Sequence, residues 1–288
     1  QHPITDPVTV KHLELSAVQA AQQNLVNQEN MDYEHYYCVG YSILHYKLDQ
    51  ERIGSLIDQN GNEASVEIIA TFLPKVVVES LIAVLDRVGL EMEALTLEPI
   101  AAIQVLIPES MRRLNVALVD IGAGTSDIAI TNQGTVVAYG MVPIAGDEIT
   151  EAISDRYILD FPEAERTKRN IINHGEDTIQ DILGFETTIT YNELIKDIAP
   201  NIEKLAHALS TEILRLNKKA PQAVMLVGGG SLTPELTDVL EGQLQLPKNR
   251  VAVRGLEAVQ SVTKHEQLPD GPDVVTPIGI AIAAQQNP

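Results

Sequence analysis

The stretch Val116-Ala117-Leu118-Val119-Asp120-Ile121-Gly122-Ala123-Gly124-Thr125-Ser126-Asp127 decides the predicted fold. Its first four residues form a continuous apolar run, which is typical of a sheet strand covered on both faces. The glycine turn that follows exposes backbone N–H groups without Cβ obstruction, and such a turn binds anionic oxygens. Residues 126–130 and 135–142 continue as strands with a glycine between them. The stretch therefore predicts a three-strand meander with a phosphate-sized turn between its first two strands.

The polar residues of this stretch predict a metal and phosphate site. Asp120 is expected at the end of one strand and Asp127 at the start of the next, and paired carboxylates beside phosphates usually hold Mg²⁺ through its waters. The alternative is a β-hairpin in which these residues serve turn chemistry alone. The phosphate contacts are assigned to Gly122, Ala123, Gly124, Thr125 and Ser126.

A second glycine turn, Gly228-Gly229-Gly230-Ser231, follows the apolar run at residues 223–227. A buried strand that leads through glycines into a helix N-terminus, here predicted over residues 234–244, is a typical nucleotide-binding geometry. The spacing differs from the GxGxxG fingerprint of dinucleotide-binding sites. Tight packing of a strand against a helix is the alternative explanation for these glycines.

Two further segments carry weaker signals. Glu165 and Lys168 lie one helical turn apart in Glu-Arg-Thr-Lys-Arg169, and the alternative is an ordinary solvated charged face. Glu98 precedes a proline and follows a short predicted strand at residues 95–97, where its carboxylate could order a water molecule.

Composition limits the classes of function. The chain has 288 residues, 20 basic against 40 acidic side chains and a net charge of −20, so it repels phosphate backbones and no nucleic-acid partner is expected. With 44% apolar residues it can build a core, and about two domains are expected. No apolar run approaches the roughly 20 residues of a membrane span. The single cysteine, Cys38, cannot form an internal disulfide. These features predict a soluble, acidic, cytoplasmic protein.

The first 73 residues predict a small α+β unit. A helix is expected over residues 8–28 and strands over 33–48 and 65–72, and Asn60-Gly61 is a typical hairpin signal. A helix starting at Pro74 follows, and Gly89 ends it. The apolar stripe of this helix comprises Val77, Leu81, Val84, Leu85 and Val88.

Helical patterns dominate the second half of the chain. Helices are predicted over residues 99–106, 146–160, 163–175 and 276–284. Thr190 and Glu193 form a capping box that opens a long helix. Its apolar positions are Leu194, Ile198, Ile202, Leu205, Leu209 and Ile213.

The order of the four motifs resembles the actin-like ATPase superfamily, which includes DnaK-type chaperones, MreB and FtsA. Residues of about 95 to 285 carry the resemblance. It implies an α/β, ribonuclease H-like fold. The segments Phe72-Leu-Pro-Lys-Val-Val-Val-Glu-Ser80, Gly89-Leu90 and Leu97-Glu98-Pro99 are most similar to FtsA and PilM, the pilus-assembly relative.

This branch implies a domain organisation. Residues 30–73 look like its small insert subdomain, so residues 1–73 are expected to be an insert-like unit with an N-terminal helix. Residues 74–288 are expected to be the actin-like ATPase domain, with about 146–220 as a helical subdomain.

The resemblance also implies roles for the motif residues. ATP and Mg²⁺ are the expected cofactors, with Asp120 and Asp127 acting on metal-bound waters and Glu98 orienting the attacking water. Gly228, Gly229, Gly230 and Ser231 would back the adenosine. Glu165, Lys168 and Arg169 would clamp the ribose and base.

The implied function is that of a nucleotide-dependent scaffold in bacterial cell division or pilus assembly. The expected partners are proteins of such a complex, self-association included, at the inner face of the cell membrane. Membrane association would be peripheral, through partners or segments outside this chain. Two alternatives stay open: a sugar-kinase-like or chaperone-like ATPase of the same fold, and a nucleotide-free interaction module.

The chain also departs from the family pattern. The Asp-Gly-Thr first phosphate loop and most of the first subdomain are absent, and Leu232 and Thr233 stand where the family has a base-stacking Arg. FtsA usually ends in a basic amphipathic helix, whereas this chain ends in Gln-Gln-Asn-Pro288. We therefore expect this chain to bind ATP weakly and to hydrolyse none, and the sequence preceding Gln1 to supply the missing loop.

Overall fold

A computed structural model describes residues 6–29, 35–93, 95–259 and 269–286. The chain divides into two compact units. The first comprises Gln1–Leu97, Thr135–Val137 and Ala283–Pro288, and the second comprises Glu98–Gly134 and Ala138–Ile282. The domain boundary after residue 73 rests on the family resemblance and stays a prediction.

The first unit is a three-stranded antiparallel sheet with two helices. Its elements are α1 (Pro7–Glu29), β1 (Tyr36–Leu48), β2 (Glu51–Ile53), β3 (Ala64–Pro74) and α2 (Lys75–Arg87). The strand order is β2-β1-β3. Helix α1 packs on the sheet, where its buried Glu14 accepts hydrogen bonds from Tyr46 at 2.7 Å and Tyr41 at 3.1 Å. The expected helix and two strands are thus confirmed within the described residues.

Two details of this unit differ from the sequence prediction. The tight turn lies at Asp49 and Gln50, both at positive φ, and joins β1 to β2. Because β3 pairs with the other edge of β1, Asn60-Gly61 lies in a longer loop and the predicted hairpin there is wrong. The apolar stripe of α2 faces outward, since only Val78 of this helix is buried.

The second unit is built around a five-stranded mixed sheet of order β10-β9-β4-β5-β6. Its strands are β4 (Val116–Ile121), β5 (Ser126–Asn132), β6 (Thr135–Val142), β7 (Glu176–Gln180), β8 (Glu186–Thr190), β9 (Ala223–Val227) and β10 (Val251–Val253). Its helices are α3 (Glu98–Leu106), α4 (Gly146–Tyr157), α5 (Phe161–His174), α6 (Tyr191–Asn217), α7 (Leu236–Gln243) and α8 (Val275–Gln286). Elements β6 and α8 each contribute a few residues to the first unit.

The central strand β4 confirms the opening prediction. All six of its residues are buried, as expected for a strand covered on both faces. It pairs antiparallel with β5 and parallel with β9, so the meander lies beside the strand of the second glycine turn. The six predicted apolar positions of α6 are buried as well.

Two local predictions are corrected in and beside this unit, and two of its features were not predicted. Residues 95–97 form no strand, so Glu98 opens α3 directly. Helix α7 begins at Leu236 rather than at residue 234, because the glycines themselves continue into a 3₁₀ turn (Gly229–Leu232) that precedes it. The β7–β8 hairpin lies within residues 146–220, the expected helical subdomain, beside α4, α5 and α6. Strand β10 was not anticipated.

The capping box of α6 gives a first stability prediction. Thr190 accepts a hydrogen bond from the Glu193 N–H, and the Glu193 carboxylate accepts from the Thr190 N–H at 3.0 Å. Thr190→Ala is expected to lower the free energy of unfolding by about 1 kcal/mol, measured by urea denaturation. Thr187→Ala, on the exposed part of β8, is the control. An equal effect of both substitutions would contradict the role of the cap.

Candidate nucleotide pocket

The two glycine turns lie side by side because they follow neighbouring parallel strands. Asp120 of β4 is in register with Val227 of β9. Gly228 has a φ of +80°, and a Cβ there would collide with Asp120 Oδ1 and the Ile121 carbonyl oxygen. A Cβ at Gly230 would collide with the Ile121 side chain. Tight packing therefore explains these two glycines, and this packing brings the two turns together.

A pocket of about 380 Å³ opens where the turns meet, and all of its lining residues belong to the second unit. Its volume lies within the range of about 300–1,000 Å³ that is usual for small-molecule sites. The predicted residues that line it are Gly122, Ala123, Glu165, Lys168, Arg169, Gly229 and Gly230. Gly229 faces open space, so nothing in the protein fills the position above its Cα. The structure thus brings three of the four sequence motifs to one cavity.

The charged residues of α5 form a bonded network at the pocket wall. The Glu165 carboxylate accepts hydrogen bonds from Thr150 Oγ1 at 2.6 Å and Arg169 Nε at 2.7 Å, and it pairs with Lys168 Nζ at 2.5 Å. Lys168 also donates to Thr150 Oγ1 at 2.7 Å. The side chains of Glu165 and Lys168 are 27% and 14% exposed, so this is not a freely solvated charged face.

The network fixes the charge of Glu165. Burial alone would raise the pKa of this carboxyl, but the hydrogen bonds from Lys168, Thr150 and Arg169 outweigh burial and hold the pKa at about 2. The pocket wall therefore carries a permanent carboxylate whose oxygens are oriented by three donors.

This low pKa gives a pH-dependent prediction. Glu165→Gln is expected to cost about 2 kcal/mol of stability at pH 7, because Lys168 loses its partner. The folded-state pKa of about 2 lies below the ordinary value of 4.5, so the ionised form stabilises the protein above pH 4.5. The difference between wild type and variant should shrink as the pH falls from 4.5 towards 2. Urea unfolding at several pH values measures it, with the exposed Glu151→Gln as control; a pH-independent difference would contradict the network.

Three carboxylates cluster at the end of β4 beside the pocket. Asp120 and Asp127 face each other in the β4–β5 register, and Thr276 Oγ1 donates a hydrogen bond to Asp120 Oδ2. Burial raises the pKa of Asp120, although the Thr276 bond opposes the rise. Burial and the charge of Asp120 raise the pKa of Asp127. Desolvation and the charges of both aspartates raise the pKa of Glu98.

The buried, mutually repelling carboxylates of this cluster predict that neutralising one of them stabilises the folded protein. A carboxylate whose pKa is raised above the ordinary 3.8 destabilises the folded state when it ionises, so its cost is full at neutral pH and vanishes in acid. Asp127→Asn should therefore raise the midpoint of thermal unfolding of the ligand-free protein by about 2–4 °C at pH 7. The gain should disappear below about pH 4. Asp155→Asn on the exposed surface is the control; a lower midpoint for Asp127→Asn would contradict the repulsion.

The remaining predicted residues do not line the cavity. Gly124 and Thr125 lie exposed in the first turn, whose shape is set by a Gly122 N–H bond to the Thr125 carbonyl oxygen. The Ser126 hydroxyl is buried and donates to the Ile144 carbonyl oxygen, and the Ser231 hydroxyl donates to that of Gly228. Both serine hydroxyls therefore make hydrogen bonds within the protein. The assignment of Ser126 and Ser231 as cofactor contacts stays a prediction, and such contacts would have to come from their backbone groups.

Several pocket residues escaped the sequence analysis. Ile172 and Asn173 continue the stripe of Glu165, Lys168 and Arg169 at helical spacing, so periodicity could have found them. The other residues that were missed are Gly146, Asp147, Ile149, Leu232, Thr233, Pro234 and Asp273. The backbone N–H groups of Gly146 and Asp147 donate to the carbonyl oxygens of Gly122 and Ala123, which seats the start of α4 against the first turn.

The described residues lack two kinds of functional feature. Across the described ranges, no group of three or more His, Cys, Asp or Glu side chains is arranged to hold a metal ion by itself. A magnesium ion at Asp120 and Asp127 would thus need waters or phosphate oxygens as its other ligands. Within the same ranges, no helix is long and apolar enough to cross a membrane.

Comparison with known proteins identifies the family of this chain. The sequence model of the family described as "Type IV pilus assembly protein PilM" matches residues 8–285. The chain belongs to this family. The match confirms the predicted resemblance to the FtsA/PilM branch of the actin-like ATPase superfamily.

Individual relatives agree with this assignment. Cell division protein FtsA of Bacillus subtilis (strain 168) is 26% identical over 181 residues, which cover 59% of this chain and 41% of FtsA. FtsA of Pseudomonas aeruginosa is 27% identical over 172 residues, which cover 56% of this chain and 41% of that protein. The matched regions thus span about two fifths of the curated relatives' length.

Solved structures confirm the α/β actin-like fold. The PilM–PilN type IV pilus biogenesis complex matches with a TM-score of 0.69 and 21% identity, over 94% of this chain and 73% of that one. MreB5 of Spiroplasma citri bound to ADP matches with a TM-score of 0.56 and 18% identity, over 74% of this chain and 66% of that one.

Proposed function

We propose that this PilM family member binds ATP with Mg²⁺ in the pocket of its second unit and acts as a nucleotide-dependent scaffold in pilus assembly. One observation carries the proposal. Segments far apart in sequence, at residues 122–123, 165–169 and 229–230, meet around a cavity of about 380 Å³. The sequence motif of each segment indicates a nucleotide. The pairing of β4 with β9 accounts for the two glycine turns being neighbours, but it does not require the α5 segment to join them.

The chemistry of the lining suits a nucleotide. Ile172 and Leu232 offer apolar surface for a base, and the oriented Glu165 carboxylate is an acceptor for ribose hydroxyl groups. The glycine turn at Gly122 admits close approach of phosphate oxygens. The ADP complex of the structurally similar MreB5 supports the proposal.

The acidic cluster suits a hydrated Mg²⁺ ion next to the phosphates. The ion would supply positive charge that relieves the repulsion between Asp120 and Asp127, which would hold its waters. Glu98 would orient a water molecule, and the raised pKa of its carboxyl makes it a better proton acceptor than an ordinary glutamate.

The proposed partners follow from the relatives. The solved PilM–PilN complex supports a protein partner of the PilN kind. The similarity to FtsA supports, as the alternative within the same branch, a role of this chain in cell division. In either case, nucleotide binding would change the conformation of the protein or its affinity for the partner, because domains of such folds close around a bound ligand.

Thermal unfolding with and without nucleotide tests the proposal. At a Kd of about 0.1 mM, MgATP at about 5 mM should stabilise the protein by about 2 kcal/mol, and ATP with EDTA should stabilise it less. PilN from the same organism should bind, with an affinity that MgATP changes. Absence of any nucleotide effect, with PilN binding intact and unchanged in Asp127→Ala, would favour a nucleotide-free module. ADP release on addition of a sugar would favour a kinase.

A further inference from the structure

The tip of the β7–β8 hairpin presents large apolar side chains to solvent. Ile182 is 74% exposed, Leu183 68% and Phe185 67%. Phe185 is one of only three phenylalanines in the chain. Together with Ile158, which is 48% exposed, these residues are the hairpin patch. Clusters of exposed apolar side chains of this size mark interaction sites more often than isolated exposed residues do.

The tip is ordered by its own hydrogen bonds. The Asp181 carboxylate accepts from the N–H groups of Leu183 and Phe185, each at 2.9 Å. The Asp181 N–H donates to the Phe185 carbonyl oxygen at 3.0 Å, and the Gly184 N–H donates back to the Asp181 carbonyl oxygen at 2.9 Å. The apolar side chains are therefore held outward by a fixed turn, which lowers the entropy lost on binding.

Ile158 is held beside the tip in a costly conformation. It follows α4 with φ 56° and ψ 48°, a left-handed geometry that a β-branched residue rarely adopts. Its carbonyl oxygen accepts a hydrogen bond from the Ile182 N–H at 3.4 Å, which ties the two segments together. Glycine would satisfy the helix end at lower cost. The strain is explained if the exposed isoleucine side chain serves a contact.

The charges around the patch indicate the chemistry of its partner. Residues 155–160 and 181–186 contain Asp155, Asp160, Asp181 and Glu186. Their one basic residue, Arg156, is paired with Asp197 at 2.9 Å. A second copy of this chain would bring like charges together across the patch, so self-association here is disfavoured.

We propose that the hairpin patch is a docking site for a basic, apolar segment of a partner protein. Leu183 and Phe185 are the anchors that the partner would bury, and the acidic rim at Asp155 and Glu186 selects lysine or arginine beside its apolar residues. The patch lies within the second unit and shares no residue with the nucleotide pocket. This inference therefore stands whether or not the chain binds ATP.

Peptide binding to the full chain tests the proposal. The probes are three short fluorescent peptides in which leucine alternates with lysine, serine or glutamate, measured by fluorescence polarisation. The lysine peptide should bind most tightly. Leu183→Ser and Phe185→Ser should each weaken it by about tenfold or more. Val88→Ser, which removes an equally exposed valine from the first unit, should leave it unchanged.

Each other outcome overturns the proposal. Equal binding by wild type and both tip variants would show attraction to the net charge of the chain alone. Tighter binding of the glutamate peptide, or no binding of any peptide, would exclude a basic partner. A dimer in light scattering that Phe185→Ser dissolves would make a second copy of the chain the occupant instead.

Discussion

Gly228→Ala is expected to destabilise the protein by about 4 kcal/mol, because the substitution combines backbone strain with a steric collision. Gly228 has φ 80° and ψ 161°, a backbone region that only glycine occupies readily, and any other residue there costs about 1–3 kcal/mol. The added methyl group would also collide with Asp120 Oδ1 and the Ile121 carbonyl oxygen, and overpacking adds about 1–3 kcal/mol. Urea unfolding and soluble yield measure the loss.

Gly229→Ala is the matched control for this prediction. It changes the next residue, which has an ordinary φ and open space at its Cβ position. Its stability should stay within about 0.5 kcal/mol of wild type. Equal stability of the two variants would show that the second turn does not depend on its close approach to the end of β4.

Gly229→Leu is expected to abolish measurable nucleotide binding without unfolding the protein. The leucine side chain would grow into the pocket rather than into neighbouring atoms, because nothing lies within 4 Å of the Cβ position. A ligand forced against such a side chain loses about 1–3 kcal/mol of binding free energy, which weakens its affinity by about 5- to 150-fold. Isothermal titration with MgATP measures the loss, and starting from weak binding it should leave no signal.

Gly242→Leu provides the control for pocket filling. Gly242 lies in α7, also faces open space and does not line the cavity. This variant should bind MgATP as wild type does. If Gly229→Leu binds with the affinity of the Gly242→Leu variant, the nucleotide does not occupy this pocket.

Local signals explain what could be predicted from the sequence. Strand β4 and helix α6 follow from an uninterrupted apolar run and from a capping box, which act within a few residues and are stabilised further by burial. The turn signal at Asn60-Gly61 was misassigned because pairing is decided elsewhere: β2 occupies one edge of β1, and β3 must take the other. Local turn propensity cannot reveal which edge is free.

Local sequence signals could not predict the β7–β8 hairpin or part of the site. Each of the two strands buries one side chain, Ile179 or Ile189, so neither shows the alternation that marks a strand. Thr276 reaches Asp120 across 156 positions of sequence, and no local pattern marks that bond. The polar stripe on α5, in contrast, could be predicted from its helical spacing, although the prediction omitted the pocket residues Ile172 and Asn173.

Hydrogen–deuterium exchange with and without MgATP tests nucleotide binding in this pocket most directly, because it reports where the ligand binds. We predict slower exchange in three segments at once, residues 122–125, 165–173 and 229–233, and no change in the sheet of the first unit. Unchanged exchange in all three segments at saturating MgATP, or protection confined to residues 36–74, would contradict binding at this site.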